Sequence, residues 1–424
     1  MGGHSVRAAA AAILTAALTP AAPATDVYPL EEETDREYGM DLVQLAYDRD
    51  ARAVWDGADR GVRFAMGSLN VRQWYFEPEV KFAAPFTSWL RFLYRFERRQ
   101  GLEPLMEERY RSEFELESRV WRWFYAGLRV DPAFWKREAD GGVSLRFRLD
   151  RTRYLDFGYT ALDFDNNYSF ERSAYDEGYT ELYREPPRRY EVAGAWHFPG
   201  GLAWKGEGFI RTTSVKNYTY FDDADENHTR RYNERYVTTT VTQPLPAAFE
   251  LFATFTANRW EETRRYTGPP LTRPPLGDDY DGRLTLHGYG GGVYYQPAGR
   301  HRWRAGFARR YQTRNFRFTG WPYESYDYAK GEYVYDALWR VRAWRELYVE
   351  TGYLGERERT DRTNVGNGYV ETKVLYDNRL PIALEYKFGP TYSLKMASGL
   401  DLDRRDWGAY LIYDKAYVHV VACF

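Results

Sequence analysis

Residues 332–353 read EYVYDALWRVRAWRELYVETGY, and this stretch decides the fold. Every second residue from Tyr333 to Val341 is apolar or aromatic, whereas the residues between them include Asp336 and Arg340. After a very short turn, the same alternation resumes. A period of two places alternate side chains on opposite faces of a sheet. The stretch therefore predicts a β-hairpin with one apolar face and one charged face.

The same alternation recurs along the chain from about Gly61 onward, as repeated copies of this hairpin. The segments are 79–82, 90–97, 113–117, 124–130, 143–149, 155–161, 187–198, 202–213, 234–245, 248–260, 282–296, 300–312, 330–342, 346–357, 367–378, 381–395 and 405–424. Together they predict an all-β chain of about 18 antiparallel strands, within a range of roughly 16 to 20.

Composition narrows the class of protein. Aromatic residues make up 18% of the 424 residues, and charged residues make up 28% with a net charge of -2. The balanced charge argues against nucleic acid as a partner, because no basic field would attract phosphate. No segment approaches the roughly 20 apolar residues of a membrane-spanning helix. Aromatic and charged residues in strict alternation favour a closed transmembrane β-barrel. A soluble β-sandwich would also alternate, and a propeller would add a repeated blade motif that the sequence lacks.

The connections between segments alternate in length. Short turns are predicted at 199–201, 244–247, 297–300, 343–346 and 378–381. Long polar loops are predicted at 163–187, 214–233, 261–280, 313–329, 357–367 and 396–405. This rhythm is typical of a barrel with short periplasmic turns and long outer loops. Loops 163–187 and 214–233 are candidates for a constriction.

The N-terminus predicts export. Arg7 precedes an apolar run, and Ala22-Pro23-Ala24 supplies small residues for cleavage, so residues 1–24 are interpreted as a signal peptide. Residues 25–58 begin acidic and are interpreted as a periplasmic extension, which leaves 59–424 for the barrel. The one cysteine, Cys423, cannot form an internal disulfide, and no haem-attachment motif occurs. We therefore expect no cofactor.

In these features the chain resembles a Gram-negative outer-membrane β-barrel of the porin-like kind. The features do not identify a closer family. The export signal, the alternating segments, the connection rhythm and the ending at Phe424 carry the resemblance over residues 59–424. It implies an outer-membrane location, contacts with outer-membrane lipid and lipopolysaccharide, and recognition of the C-terminal strand by the barrel assembly machinery. It also implies small solutes as ligands, for a barrel that works alone, as a homotrimer or with a partner protein.

Charged residues in the inward register are expected to line the lumen. They are Arg91, Arg95, Glu113, Glu115, Glu117, Arg146, Arg148, Lys205, Glu207, Arg302, Arg304, Arg310, Asp336, Arg340, Arg342, Glu350, Glu371, Lys373, Glu385 and Lys387. In an antiparallel meander, the Arg91 strand should face the glutamates at 113–117, and the Glu371 strand should face Glu385.

The arginines at 302, 304, 310, 340 and 342 form a separate sector with only Glu332 and Asp336 as nearby acids. This lack of local compensation predicts a preference for anionic solutes, because arginine rings serve anion pores. With the glutamates at 113–117 on the opposite wall, the sector would create a transverse field across the lumen.

Three functions remain open at this point. The first is a passive channel for small polar or anionic solutes. The second is a non-conducting barrel that acts as a sleeve or scaffold for a periplasmic redox protein, a lipoprotein or a surface filament. The third, an outer-membrane lipid hydrolase, has the least support, because neither G-x-S-x-G nor H-E-x-x-H occurs and no catalytic residue stands out. The loop acids match no calcium-loop pattern, so no metal site is expected. Residues 25–58 are too few for the plug of a TonB-dependent transporter.

Overall fold

A computed structural model describes most of the predicted barrel region. The described residues are 61–70, 73–101, 109–133, 138–150, 153–162, 179–220, 227–267, 279–297, 299–319, 325–389, 392–403 and 415–423. The predicted signal peptide, the predicted extension at 25–58 and Phe424 lie outside these ranges. No helix among the described residues is long and apolar enough to cross a membrane.

The described residues form 19 strand segments joined in one antiparallel sheet. The segments are β1 Gly61–Asn70, β2 Gln73–Pro85, β3 Leu90–Gly101, β4 Arg109–Arg119, β5 Phe124–Ala133, β6 Glu138–Arg148, β7 Tyr154–Ala161, β8 Tyr179–Glu185, β9 Arg188–His197, β10 Ala203–Tyr220, β11 His228–Leu245, β12 Phe249–Tyr266, β13 Tyr280–Tyr295, β14 His301–Phe318, β15 Tyr326–Trp344, β16 Leu347–Asn364, β17 Val370–Gly389, β18 Tyr392–Asp401 and β19 Lys415–Cys423.

Segments β8 and β9 are two halves of one barrel strand. Both pair with β10. Segment β8 pairs with residues 215–220 of β10, at the long-loop end, and β9 pairs with residues 203–211, at the short-turn end. Pro186 and Pro187 separate them, and a residue without an N–H cannot continue a hydrogen-bonded ladder. The described sheet is therefore an 18-stranded barrel, and β1 closes it by pairing with both β2 and β19. The predicted fold and strand number are confirmed.

The two faces of the wall differ in the way that the alternation predicts. One face carries large apolar side chains exposed to the surroundings, such as Leu128, Leu145, Phe157 and Phe307. The other face carries charged side chains that contact one another, often across an intervening strand. Such contacts favour the concave side of a closed sheet, so the charged face is the inner wall. The exposed apolar face suits lipid.

The strands on one side of the barrel are much longer than a membrane crossing requires. Strands β10–β17 have 16 to 20 residues, whereas a tilted strand crosses the hydrocarbon core with about 9–11. The loops predicted at 214–233, 261–280, 313–329 and 357–367 are consequently too long, because β-pairing continues into each of them, and through most of 214–233, 313–329 and 357–367. Beyond the membrane both faces of a hairpin can be polar, so the alternation of hydrophobicity stops although the hydrogen bonds do not.

The short turn predicted at 378–381 is wrong, because β17 passes straight through this segment. Pairing of β17 with β16 lapses between Ile382 and Arg379, on either side of Pro381. Pro381 has no N–H to donate, and Gly352 stands opposite with a φ of 158°. The strand therefore tolerates the proline at the cost of a local gap in the ladder.

The other short turns are confirmed, and Gly200 and Gly201 show why one of them is tight. Both have a φ of 86°, in the region where a side chain is strained. Two such residues between adjacent strands are typical of the tightest hairpin connections.

Gly292 on β13 is a position where any side chain should destabilise the barrel. A Cβ at Gly292 would lie 2.2 Å from the carbonyl oxygen of Ala305 and 2.7 Å from the ring of Phe252. We expect Gly292→Ala to cost about 1–3 kcal/mol of unfolding free energy, as overpacking does. Gly288→Ala is the matched control on the same face of β13, because its nearest neighbour would be at 3.5 Å. Equal stability of the two variants in urea titrations would contradict this account.

Candidate functional site

The inner wall between β3 and β7 is built around the buried carboxylate of Glu117. Its side chain is 1% exposed, and Arg91 lies 2.5 Å from one of its oxygens. Arg146 donates to the other oxygen and also contacts Asp156 at 2.5 Å. Arg91 pairs with Glu117, and Arg95 with Glu113, in the register between β3 and β4. The predicted facing of these two strands is therefore confirmed.

A glycine allows this cluster to reach across a strand. Gly127 on β5 stands between Glu117 of β4 and Ser144 of β6. A Cβ at Gly127 would lie 2.3 Å from Ser144 Oγ and 2.5 Å from Glu115 Oε1. Because Gly127 has no side chain, Ser144 Oγ can donate to Glu115 at 2.9 Å, and the charged side chains of β4 and β6 meet over the backbone of β5.

Arg129 extends the network toward β9. Its guanidinium donates to Glu191 at 2.7 Å and to Thr160 at 2.6 Å, and it lies 3.6 Å from Glu113. Together with the Glu117 cluster, these contacts form a continuous band of paired charges along six neighbouring barrel strands, from β3 to β9 with β8 and β9 counted as one.

The arginine-rich sector on β14 and β15 does have local compensation, contrary to the expectation from sequence. Arg304 lies 3.1 Å from Asp336, and Arg310 lies 3.9 Å from Glu332. Arg340 reaches over β16 to Glu385 of β17. The sequence of β14 and β15 gives no sign of this last contact, because the acid lies on a third strand.

The remaining arginines of this sector make different contacts. Arg302 lies 4.5 Å above the ring of Tyr294, and it stands opposite Arg340 in the β14–β15 register. Arg342 is an exposed residue at the short turn, where it contacts Glu346 at 2.6 Å. Arg302 and Arg340 thus stand side by side on the inner wall, Arg302 against Tyr294 and Arg340 in contact with Glu385.

A group of three carboxylates lies farther along the same wall. Ligand oxygens of Glu332, Glu356 and Glu358 all lie within 4.8 Å of one another. Lys330 Nζ lies 2.8 Å from Glu358 and 3.9 Å from Glu332. The ammonium group thus supplies the positive charge that a metal ion would otherwise bring to this group.

The inner wall also carries an aromatic cluster that was not predicted from the sequence. It is formed by Trp260, Tyr280, Leu284, Phe316 and Tyr326, all buried. The Trp260 and Phe316 rings meet edge to face at 6.2 Å across Gly282. The sequence signal is a change in the alternation along β12. Up to Phe255 every odd position is apolar and faces outward, whereas farther along the strand the outward positions are Arg259 and Glu261 and the inward position between them is Trp260. Above the membrane the polarity of the two faces is thus inverted.

Most of the other predicted lumen residues share the inner face by register. They are Arg95, Arg148, Lys205, Glu207, Glu350, Glu385 and Lys387. Lys395 of β18 lies 3.7 Å from Glu350. Glu371 and Lys373 share this face but lie exposed near the outer end of β17. They do not face Glu385 and Lys387 as expected, because all four residues belong to one strand.

The topology places the glutamates of β4 and the arginines of β14 on opposite walls of the barrel. With β8 and β9 counted as one strand, β4 and β14 lie nine strands apart in both directions around the barrel. Glu113, Glu115 and Glu117 are on β4, and Arg302, Arg304 and Arg310 are on β14. Each inner-wall ion pair described above joins two strands that are at most three strands apart around the barrel. The paired side chains therefore extend along the wall and not across the lumen.

Outside the membrane region, several outward-facing arginines are paired with acids. Arg259 donates to Glu261 at 2.6 Å and thereby holds the pKa of Glu261 below its ordinary value, with help from Arg283. Hydrogen bonds from Thr372 and Arg359 likewise lower the pKa of Asp361. Further pairs join Arg265 to Asp281 at 2.5 Å and Arg317 to Asp327 at 2.6 Å.

Comparisons with known proteins find distant similarity to solved structures. No protein-family model matches the sequence, and no curated protein matches it. Among solved structures, OccK2 (OpdF) of Pseudomonas aeruginosa in complex with glucuronate is 13% identical, over 85% of this chain and 96% of that chain, with a TM-score of 0.40. OprD of the same organism is 12% identical, over 86% and 93%, with a TM-score of 0.38. A bacterial polysaccharide outer membrane secretin is 9% identical, over 86% and 98%, with a TM-score of 0.35. With its closed antiparallel wall and its apolar outer surface, the chain has the architecture of a Gram-negative outer-membrane β-barrel.

Proposed function

We propose that this barrel is a passive outer-membrane channel for small polar solutes, and that anionic solutes pass preferentially. The observation that carries the proposal is the closed 18-stranded wall with charged side chains along its inner face. Barrels of 16–18 strands are wide enough to leave an aqueous channel. Inner-face charges that pair along the wall are compatible with water between the walls.

The preference for anions rests on the wall around β14. Arg302 and Arg340 stand side by side in the β14–β15 register, and the glutamates of β4 lie on the opposite wall. Local ion pairs reduce the net field of this sector. We therefore expect a moderate selectivity, weaker than the sequence alone implied.

Reversal potentials across planar bilayers test this proposal. Replacing Arg302, Arg304 and Arg340 with glutamine should lower the anion-to-cation permeability ratio by roughly fourfold. A unit charge about 10 Å from the pore axis contributes roughly 0.4 kcal/mol in water, and screening at 0.15 M salt reduces this to roughly a third. Three charges together then shift the energy of an anion by about 0.4 kcal/mol and that of a cation by the same amount in the opposite direction.

The matched control removes three arginines from the outer face of the same wall, at positions 283, 317 and 359. Its permeability ratio should stay at the wild-type value, since these charges do not face the lumen. An unchanged ratio in the inner-face variant would overturn the proposed anion preference. A correctly inserted wild-type barrel that carries no current would overturn the channel and favour the sleeve or scaffold function.

A further inference from the structure

A row of alternating tyrosine and arginine residues crosses the outer face of five neighbouring strands. We call it the Tyr–Arg ladder, and it consists of Tyr289, Arg309, Tyr333, Arg357 and Tyr376 on β13 to β17. Each residue stands opposite the next in the strand register. The ladder belongs to the outward face, and no inner-wall function accounts for it.

The guanidinium groups of the two arginines lie against tyrosines. Arg309 Nη1 donates to Tyr289 Oη at 3.2 Å, and its guanidinium lies 5.3 Å from the ring centre of Tyr333. The Arg357 guanidinium lies 5.9 Å from the ring centre of Tyr376. Among the described residues, neither guanidinium has a carboxylate partner. Both positive charges therefore remain uncompensated.

This distinguishes the ladder from the arginines above it. On the same two strands, Arg317 contacts Asp327 at 2.6 Å and Arg359 contacts Asp361 at 3.0 Å. These arginines lie farther from the short-turn end and are already neutralised by the protein. The ladder is thus the level at which the wall offers positive charge to its surroundings.

The height of the ladder identifies those surroundings. Arg309 is the ninth residue of β14, and Arg357 is the eleventh residue of β16, both counted from a short turn. A strand needs about 9–11 residues to cross the hydrocarbon core. Phe307 and Tyr335, one step closer to the short turns, still belong to the apolar and aromatic surface. The ladder therefore lies at the outer edge of the membrane, where lipid headgroups begin.

We propose that the Tyr–Arg ladder binds phosphate groups of an outer-leaflet glycolipid. Guanidinium groups bind phosphate through paired, charge-assisted hydrogen bonds. The tyrosine rings orient the guanidinium groups, and their hydroxyl groups lie at the same level. Arg309 and Arg357 are two strands apart, roughly 10 Å, so each should take its own phosphate. The proposal assigns residues to the lipopolysaccharide contact expected from sequence, and it does not depend on conduction through the lumen.

Native mass spectrometry of the refolded full chain in detergent micelles tests the proposal, with bisphosphorylated lipid A as the probe. The R309Q/R357Q variant should bind this lipid about tenfold or more weakly, as expected for the loss of charge-assisted contacts. The matched control is R317Q/R359Q, which removes the same charge from the same strands and should bind within about twofold of wild type. If R309Q/R357Q does not fold, the single variants R309Q and R357Q are compared with R317Q and R359Q.

Three results would overturn the proposal. They are equal losses in the ladder variant and its control, unchanged binding in the ladder variant, and equal binding of dephosphorylated lipid A. Inorganic phosphate supplies a further arm. If it displaces the lipid at matched phosphate concentration, the site recognises soluble phosphate and the assignment to lipid is wrong.

Discussion

Replacing Arg146 with alanine is expected to destabilise the barrel by about 3–5 kcal/mol, because it breaks a buried ion-pair network. Arg146 contacts Glu117 and Asp156 and lies 4.0 Å from Glu115. Without it, Glu117 would keep only Arg91 as a basic partner, and Glu115 would keep only its hydrogen bond from Ser144 and more distant charges. Denaturant titration of the protein in phosphatidylcholine vesicles would measure the loss.

Two variants separate this effect from a general sensitivity to arginine loss. Arg153→Ala breaks an exposed pair with Asp150 at 2.6 Å and should cost less than about 1 kcal/mol. Adding Glu117→Gln to Arg146→Ala should recover part of the loss, because removing both charges of a buried pair is far less costly than removing one. A double variant less stable than Arg146→Ala by the full cost of Glu117→Gln would mean that the two residues act independently.

Replacing Trp260 with alanine should also cost about 3–5 kcal/mol, since it leaves a large cavity in a packed cluster. The effect should concentrate in the outer halves of β11 to β15, where Trp260 contacts Phe316 and Tyr232. We expect faster proteolysis of these hairpins in addition to a lower unfolding free energy. Neighbouring Glu262 is fully buried and accepts hydrogen bonds from Arg230 and Tyr280, so a cavity beside it should also disturb a polar pair.

Trp260→Phe is the control for this experiment. It keeps an aromatic ring in the cluster and should cost less than about 1.5 kcal/mol. Equal proteolysis of the wild type and Trp260→Ala would show that backbone pairing alone holds the outer hairpins together. In that case the aromatic cluster would contribute little to their order.

The membrane-spanning half of this barrel could be predicted from sequence because one physical constraint governs it. Lipid requires an apolar outer face, so residues such as Tyr333 and Trp339 mark the strand and its orientation at once. Cross-strand partners on adjacent strands followed from the meander, as with Arg91 and Glu117. Where that constraint ends, at about the level of Arg309, the pattern stops reporting the strand although the strand continues.

The remaining errors have specific physical causes. Asn378 and Pro381 are residues that favour turns, but β17 passes through them because Gly352 opposite relaxes the demand for a continuous ladder. Contacts that skip a strand, such as Arg340 with Glu385, depend on side-chain reach and on curvature of the wall. Neither quantity is visible in a pattern of period two. The inverted phase at Trp260 was visible, but it required comparing the two halves of one strand.

The pairing of β1 with β19 determines when the barrel can close during folding. Gly61 pairs with Cys423, so β1 finds one of its two partners only when β19 has been synthesised. Until then the sheet has two open edges, and open edges recruit other strands. Loss of the final few residues would therefore leave an unsealed sheet in place of a slightly smaller barrel. The pairing of β19 with β1 therefore closes the barrel and, in the same step, removes the open edges at which the sheet could aggregate.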